Sequence, residues 1–393
     1  MLKLGVIKTR LRFSPGLISY ITLALSLLVF LLWRLGSLTA GLSPSEANSR
    51  AASNNLHGLL SNPINAPYHL LQHLLIMVNS GAFSLRFISF IFGIAIAVCF
   101  YLYMKSLFGR IIGLLGSLSL ISLPLFVILA RAASPQILLF SPIVLMYLAF
   151  LLTRPQPKYF IWPMLALVIG LSLYTPGILW WVAGATILSY KKMSEAIRTL
   201  PTMVNSIGLG VLGLGITPLV VIGGLHLSSL KQLLAIPARL PAPAHFGAEL
   251  LRMLGALFVR SPGDSQLLLG NLPVLNITLS ALVIFGGYAL FTAARGKAIS
   301  MSLSIVLAIV LAALNEDVVY LALAVPALAI LATAGLRYLY IEWRGIFPRN
   351  PVPKTFALIL IAAVTLAQVY YAANYSLEAW PHSPPIRKAY VLK

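Results

Sequence analysis

Long apolar runs recur along this 393-residue chain and constrain its fold more than any other feature. Several reach about 18 residues, the length that an α-helix needs to cross the hydrocarbon core of a membrane. The runs are continuous and do not alternate between apolar and polar residues, which excludes a transmembrane β-barrel. Charged residues make up only 9% of the chain, against about 25% in soluble domains, which is too few to cover a water-facing surface.

We therefore predict an all-α polytopic membrane protein with about 11 transmembrane helices, formed as a single domain over residues 1–393 with no soluble domain. The fifth and sixth segments are short for membrane spans and are expected to form a hairpin that turns at Thr175-Pro176-Gly177. The predicted apolar segments are 16–38, 86–104, 109–129, 135–153, 159–174, 176–190, 203–225, 273–293, 299–314, 318–336 and 355–373.

The distribution of Lys and Arg predicts the orientation, because cytoplasmic connections carry an excess of both residues. Most of them fall on one set of connections, which places the N-terminus in the cytoplasm of a multi-pass plasma (inner) membrane protein. The first apolar run is too long for a cleaved signal peptide, so we expect a retained helix. The net charge of +20 is spread over short connections, which favours anionic membrane lipid as a partner and disfavours nucleic acid.

Two long connections lie on the external side in this topology. The first, 39–85, contains His69, Gln72 and His73 at helical spacing on one face with leucines on the other, which predicts an interfacial helix. The second, 226–272, is rich in proline and is expected to be irregular, with one short helix near 246–259.

Glu46 is the first of only eight carboxylates in the chain and follows the first apolar run. A carboxylate at the membrane surface has the chemistry of a general base for an external reaction. It is also compatible with a solvated loop residue or with an N-cap partner for a helix that begins near Pro44. Asn48 and Arg50 follow closely and have the side chains that bind polyhydroxylated ligands, although both are ordinary loop residues.

Arg86 and Arg131 stand at the outer ends of two apolar runs. The guanidinium group binds phosphate through two parallel hydrogen bonds, so both are candidates for a phosphate clamp. The alternative is that each side chain reaches a lipid headgroup. The long external loop supplies three further candidates, Arg239, Arg252 and Arg260.

Glu316 and Asp317 occupy a short external turn, where they would bind a cation, pair with an arginine or keep the turn in water. His69 and His73 have the spacing of a metal pair, but no acidic third ligand is near them in sequence, so we predict no metal site. The chain contains no phosphate-binding loop and no dinucleotide fingerprint, and we predict no cofactor.

The order of these features resembles the GT-C superfamily of polytopic glycosyltransferases, which includes the protein O-mannosyltransferases and the lipid A aminoarabinose transferases. The resemblance is a pattern over most of the chain rather than one motif. Gln136 stands where the family often has Asp, Val319 stands where it has Arg before a Tyr, and the lysine of its Lys-Gly-Pro turn is missing. The segments that carry the resemblance are Ser43–Arg50, Asn65–Leu71, Ser84–Phe87, Leu129–Gln136, Leu171–Gly177, Gly270–Pro273 and Glu316–Pro326.

The resemblance implies a glycosyltransferase that uses a polyprenyl-phosphate-linked sugar donor and a hydroxyl on a lipid, glycan or protein acceptor. It implies transfer on the external face with inversion, Glu46 as the general base and the five arginines as candidates for binding the donor phosphate. The residues expected to line the substrate pocket are Asn48, Arg50, Asn65, Tyr68, His69, Gln136, Glu316, Asp317 and Tyr320.

Two other functions remain open at the level of sequence. The first is a non-catalytic GT-C-like protein that binds lipid phosphate or acts as a scaffold, which the glutamine at position 136 favours. The second is a flippase for lipid-linked sugars, which the lack of a polar path through the apolar segments disfavours.

Overall fold

The computed structural model describes residues 15–225, 227–262, 267–346 and 351–392, and these residues are predominantly helical. One isolated antiparallel bridge joins Leu42 to Leu392. The α-helices are α1 (Pro15–Leu27), α2 (Pro44–Asn54), α3 (Leu56–Ser61), α4 (Ala66–Val78), α5 (Ala82–Phe108), α6 (Arg110–Ile121), α7 (Pro124–Arg131), α8 (Pro142–Leu152), α9 (Ile161–Ser172), α10 (Ile178–Arg198), α11 (Thr202–Leu225), α12 (Leu227–Leu233), α13 (Pro243–Phe258), α14 (Ile277–Ala293), α15 (Arg295–Asn315), α16 (Val325–Ile346), α17 (Pro351–Ala373), α18 (Trp380–His382) and α19 (Pro384–Ala389).

Tighter and wider helical turns extend four of these helices. A π-helical turn, Leu28–Leu32, continues α1, and another, Asn374–Ala379, continues α17. Two 3₁₀ helices, Pro135–Phe140 and Val318–Leu323, precede α8 and α16. Such turns change the helix direction locally, and both 3₁₀ segments lie beside the cavity described below.

The predicted fold class is confirmed, because every predicted apolar segment forms helix in the structure. Six helical segments of the described residues are long and apolar enough to cross a membrane, and the pair α6–α7, bent by 66°, makes a seventh if it forms one span. The predicted number of 11 spans is not confirmed. Several apolar segments are shorter than a span, and α10 carries charged residues in its second half. The first 14 residues, which the charge pattern places in the cytoplasm, lie outside the described part of the chain.

The helices pack closely where small residues meet. A Cβ atom at Gly286 on α14 would collide with the Leu331 carbonyl group of α16, and one at Gly335 on α16 would collide with the Leu282 carbonyl group of α14. Small residues at such crossings allow backbones to approach in membrane helices, where packing rather than the hydrophobic effect drives association. This contact holds α16, and with it the 3₁₀ segment Val318–Leu323, in place.

Helix α4 has its polar face turned inward. Tyr68, His69 and Gln72 are buried, whereas Leu74 is 59% and Met77 is 72% exposed. A helix on the surface of a soluble protein has the opposite arrangement. The exposed leucine face is the one expected to meet lipid if α4 lies at the membrane interface.

Candidate functional site

A polar cavity of about 340 Å³ lies where five segments meet at one end of the helices. Its walls come from α2, from the start of α4, from residues 134–139, from the turn at 175–176 and from residues 317–320. These segments are distant in sequence, and the sequence-based topology placed all of them on the external side. The residues that line the polar cavity are Ser45, Asn48, Ser49, Ala52, Asn65, His69, Ser134, Pro135, Gln136, Leu139, Thr175, Pro176, Asp317, Val319 and Tyr320.

A second cavity, of about 570 Å³, shares Pro176 and Tyr320 with the polar cavity. Most of its lining is apolar, and Lys231 on α12 supplies a cationic side chain. We call it the lysine cavity. Its residues are Ile64, Pro176, Leu227, Ser228, Lys231, Gln232, Ala235, Ile236, Pro237, Ala238, Asn315 and Tyr320.

Two buried polar atoms on the wall of the polar cavity have no hydrogen-bond partner among the described residues. They are the Oδ1 atom of Asn65 and the Oγ1 atom of Thr175. The backbone of Asn65 is left-handed, with φ of 56°, and its N–H donates to the Tyr174 carbonyl at 2.9 Å, which joins α4 to the turn that carries Thr175. A buried polar group without a partner costs about 1–3 kcal/mol, so a polar ligand that bonded to either atom would recover that energy.

His69 presents a defined ring nitrogen in this cavity. Gln72 donates through Nε2 to the Leu85 carbonyl, which leaves its Oε1 atom to accept from the Ser53 hydroxyl. The Ser53 hydroxyl has one proton and two oxygen acceptors, Gln72 Oε1 at 2.6 Å and the Ser49 carbonyl at 2.9 Å, so we assign the His69 Nδ1 atom as the donor to the Ser53 oxygen, 2.9 Å away. Burial lowers the pKa of His69 to about 4, so the ring is neutral and its Nε2 atom is a hydrogen-bond acceptor.

Asp317 contributes a carboxylate to the polar cavity from the start of the 3₁₀ helix Val318–Leu323. Its Oδ1 atom accepts from the Val319 N–H at 2.9 Å. The side chain is exposed, but enough protein surrounds it for partial desolvation to raise the pKa of the Asp317 carboxyl above its ordinary value. Burial, with a smaller effect of the Asp317 charge, raises the pKa of Tyr320 to about 12.

Glu46 is in a different environment from Asp317. Its side chain is 1% exposed, and both carboxylate oxygens accept hydrogen bonds. Arg86 on α5 donates through Nε to Oε1 at 2.8 Å and through Nη2 to Oε2 at 2.9 Å. The N–H groups of Ser43 and Ala133 donate to the two oxygens at 3.0 and 2.8 Å. We call this group of residues, Ser43, Glu46, Arg86 and Ala133, the buried ion-pair cluster.

The buried ion-pair cluster connects three segments that shape the polar cavity. Ser43 and Glu46 form a capping box at the start of α2, with Pro44 in the first turn. The bond from Ala133 holds the backbone next to Ser134, which lines the cavity. Arg86 also donates to the carbonyl groups of Leu35 and Gly41. The cluster therefore positions the cavity wall without lining either cavity.

The fold of this chain is similar to that of a solved protein structure. ArnT from Cupriavidus metallidurans bound to undecaprenyl phosphate superposes with a TM-score of 0.56 at 11% identity, covering 96% of this chain and 75% of that one. The same protein in the apo state gives 0.58 at 10% identity, covering 95% and 77%. Residues 61–221 match the family described as dolichyl-phosphate-mannose-protein mannosyltransferase. The superposition shows that this chain shares its fold with ArnT. No curated protein matches its sequence significantly.

Six of the predicted pocket residues do line the polar cavity, namely Asn48, Asn65, His69, Gln136, Asp317 and Tyr320. Three other predicted pocket residues do not line either cavity. Tyr68 is buried in the helical core, where its hydroxyl bonds to Ser89 at 2.8 Å. Glu316 is exposed and pairs with His245 at 3.0 Å. Arg50 is half-buried on α2.

The geometry around Glu46 differs from the predicted free external base. The alternative, an N-cap partner in a helix that begins near Pro44, is what the structure contains. A base in this position would first have to break its pair with Arg86, because both carboxylate oxygens already accept two hydrogen bonds.

The five candidate arginines also lie away from the two cavities. Arg86 is held by Glu46, and Arg131 donates to the carbonyl groups of Phe30 and Trp33, both at 2.8 Å. Arg252 pairs with Glu249 at 3.2 Å. Arg239 and Arg260 are exposed in the segments that follow α12 and α13.

Sequence reasoning missed Thr175 and Lys231 as cavity residues. Thr175 was predicted only as part of a hairpin turn, and Lys231 was not among the predicted site residues. A signal for Lys231 exists in the sequence, since it lies between leucines on a short amphipathic segment. Across the described ranges, no three His, Cys, Asp or Glu side chains are grouped to hold a metal ion.

Proposed function

We propose that this protein is a membrane glycosyltransferase of the GT-C superfamily that moves a sugar from a polyprenyl-phosphate-linked donor to an acceptor hydroxyl. One observation carries the proposal: the polar cavity, with hydrogen-bonding groups left without partners, adjoins the more apolar lysine cavity at Pro176 and Tyr320. A lipid-linked sugar has the same division between a hydroxyl-rich head and an apolar tail.

The lysine cavity is the proposed site of the donor phosphate and the first isoprene units. Lys231 provides positive charge for the phosphate, and the surrounding Leu227, Ile236 and Pro237 provide apolar contact for the lipid. The complex of ArnT with undecaprenyl phosphate supports a donor of this class. Lys231 replaces the arginines expected from sequence, because Arg86 and Arg131 are already engaged by other groups in the protein.

The proposed reaction is a single displacement that inverts the anomeric carbon. Phosphate is a good leaving group, so bond breaking requires a cation to stabilise the departing oxygen rather than a general acid. The acceptor hydroxyl requires one base. Asn65 and Thr175 are the proposed contacts for sugar hydroxyls, since both have buried oxygens open to a ligand bond.

A non-catalytic protein that binds lipid phosphate is the second candidate. Two residues favour this candidate, Glu46 and Gln136. The Glu46 carboxylate is already hydrogen-bonded within the protein, and Gln136 has an amide where the resembled family often has Asp, so neither position offers a free carboxylate. Such a protein would bind polyprenyl phosphate in the lysine cavity but would not release it from a sugar.

The test is binding and turnover with purified protein in lipid nanodiscs. We expect undecaprenyl phosphate to bind, and Lys231→Ala to weaken binding about 10-fold, which corresponds to the loss of one charge-assisted contact. The matched control is Lys192→Ala, which removes an exposed lysine of α10 and should leave binding unchanged. Turnover is measured as release of polyprenyl phosphate from mannosyl- and aminoarabinosyl-phosphoryl lipids with acceptor present.

Three results decide between the candidates. Release of polyprenyl phosphate from either donor supports the transferase. Binding without release from any donor favours the non-catalytic candidate. No binding of polyprenyl phosphate at all would reject both and leave only the shared fold.

A further inference from the structure

Asp317 differs from the other described carboxylates because it lines the polar cavity. The chain has eight carboxylates, and among those in the described ranges only Asp317 belongs to the lining of either cavity. The Glu46 carboxylate accepts four hydrogen bonds from the protein, and Glu316 pairs with His245. A proton acceptor for a reaction in the polar cavity therefore has few candidates.

The local backbone holds Asp317 in place for that role. Glu316 adopts a left-handed conformation, with φ of 52°, which ends α15 and turns the chain back toward α16. The Val319 N–H then binds the Oδ1 atom of Asp317. The described residues offer no hydrogen bond to the other oxygen, Oδ2, so one carboxylate oxygen remains available to a ligand.

We propose that Asp317 is the general base of the transfer reaction, an assignment that rests on the proposed function. As the acceptor oxygen attacks the anomeric carbon, Asp317 takes the hydroxyl proton and becomes the neutral acid. The bond between the anomeric carbon and the phosphate oxygen breaks, and its electron pair leaves with the polyprenyl phosphate. The products are the glycosylated acceptor, polyprenyl phosphate and protonated Asp317, which later returns its proton to water.

The groups around Asp317 suit this assignment. Desolvation raises the pKa of the Asp317 carboxyl, and a stronger base takes the acceptor proton more readily. The charged or titratable groups on neighbouring elements are His69 on α4, Lys231 on α12, the His245–Glu316 pair and Tyr320 on its own element. Two orphaned polar atoms, of Asn65 and Thr175, share the cavity with it and indicate a ligand there.

His69 is the competing base in the same cavity. Its neutral ring offers the Nε2 atom as a hydrogen-bond acceptor, but burial holds its pKa near 4 by opposing the imidazolium form. A ring that resists protonation can orient the acceptor hydroxyl by accepting a hydrogen bond. It is poorly suited to keep the proton, whereas Asp317 becomes neutral on protonation and loses a partly desolvated charge.

The experiment measures single-turnover transfer by the full chain in nanodiscs with a donor and acceptor that support activity. We expect Asp317→Asn to lower the transfer rate by roughly 100- to 10,000-fold, the usual contribution of a general base. Donor binding should stay within about threefold, because the asparagine oxygen can still accept from the Val319 N–H. Glu195→Gln, which changes an exposed carboxylate on α10, is the matched control and should keep the wild-type rate.

A pH profile separates a base from a residue that only shapes the cavity. The wild-type rate should rise with pH through an apparent pKa above that of an ordinary aspartate, and Asp317→Asn should lose that dependence. Transfer by Asp317→Asn within fivefold of wild type would overturn the assignment and leave the transferase function standing. A pH limb that persists in Asp317→Asn and disappears in His69→Gln would move the base to His69. No transfer by the wild-type protein with any donor would overturn the proposed function itself.

Discussion

The two carboxylates Glu46 and Asp317 are in opposite environments, the first buried behind the polar cavity's wall in the buried ion-pair cluster and the second in the lining of the cavity. Glu46 is 1% exposed, and each of its oxygens accepts one bond from Arg86 and one from a backbone N–H. Asp317 is exposed to a cavity and accepts one described hydrogen bond, from its own turn. Both oxygens of Glu46 therefore accept hydrogen bonds from the protein, whereas Asp317 keeps one oxygen without a described donor.

The comparison teaches that position along the chain does not decide which carboxylate reacts. A buried charge must be paired and fully bonded, and these bonds make Glu46 part of the scaffold. An acid that keeps an unbonded oxygen in a cavity is less favourable for folding, but it is available to a substrate. Substitutions and changes of pH can perturb the two environments separately.

The largest effect on stability is expected for Glu46→Gln. The substitution leaves the Arg86 guanidinium buried without its counter-charge, and breaking a buried pair in this way costs about 3–5 kcal/mol. We expect a large fall in the unfolding midpoint in nanodiscs and loss of activity in proportion to loss of folded protein. The double variant Glu46→Gln/Arg86→Met should recover part of the stability, because it removes the unpaired cation.

Glu195→Gln again serves as the control of the same residue type at an exposed position. A stable, well-folded Glu46→Gln protein that binds donor but does not transfer sugar would contradict the scaffold role. It would return Glu46 to the position of base that the family resemblance implies.

A smaller effect on the free energy of unfolding is expected when His69 is protonated at low pH. Its pKa is about 4 in the folded protein, below the ordinary value of 6.5, so protonation favours unfolding. The stability contributed by the neutral ring is present above pH 6.5 and is lost as pH falls toward 4, by about 3 kcal/mol in all. Unfolding midpoints measured from pH 7.5 to 4 should fall less steeply in His69→Gln than in the wild type. Parallel curves for the two proteins would show that His69 does not carry the acid sensitivity.

The smallest effect is expected for the exposed pair of His245 and Glu316, which are 52% and 53% exposed. Solvent screens such a pair, so His245→Ala should change stability by less than about 1 kcal/mol. Comparing its unfolding midpoint with that of Glu46→Gln tests directly how much burial magnifies the loss of one ionic partner. A loss as large as that of Glu46→Gln would indicate that the pair also holds α13 against the turn at Asp317.

Much of the fold was predictable because apolar runs in a membrane protein leave few alternatives to a helix. Helix α4 was predictable from the spacing of His69, Gln72 and the leucines. The number of spans was not, because breaks such as those at Pro124 and at the 3₁₀ segment after Ser134 depend on packing as well as composition.

The site was predictable in part for a similar reason. Asn65, Gln136 and Asp317 are polar residues on external connections, and such residues are expected to line the cavity that forms between those connections. The environment of Glu46 was not decided by sequence, since Arg86 lies 40 positions away and the two meet only because α2 packs on α4 and α4 packs on α5. The sequence did allow Glu46 to be an N-cap partner in a helix that begins near Pro44, and the structure contains such a capping box.

The reversed polarity of α4 makes the site depend on the solvent that surrounds the protein. His69 and Gln72 are held inward only while something apolar covers Leu74 and Met77 on the outer face. A detergent that covers these residues poorly would favour rotation of the helix or its release from α2. Loss of the Ser53–His69 contact would follow, and the cavity would lose one wall. The lipid or detergent around the protein is therefore expected to affect the geometry of the cavity. Variants should be compared only in the same lipid or detergent.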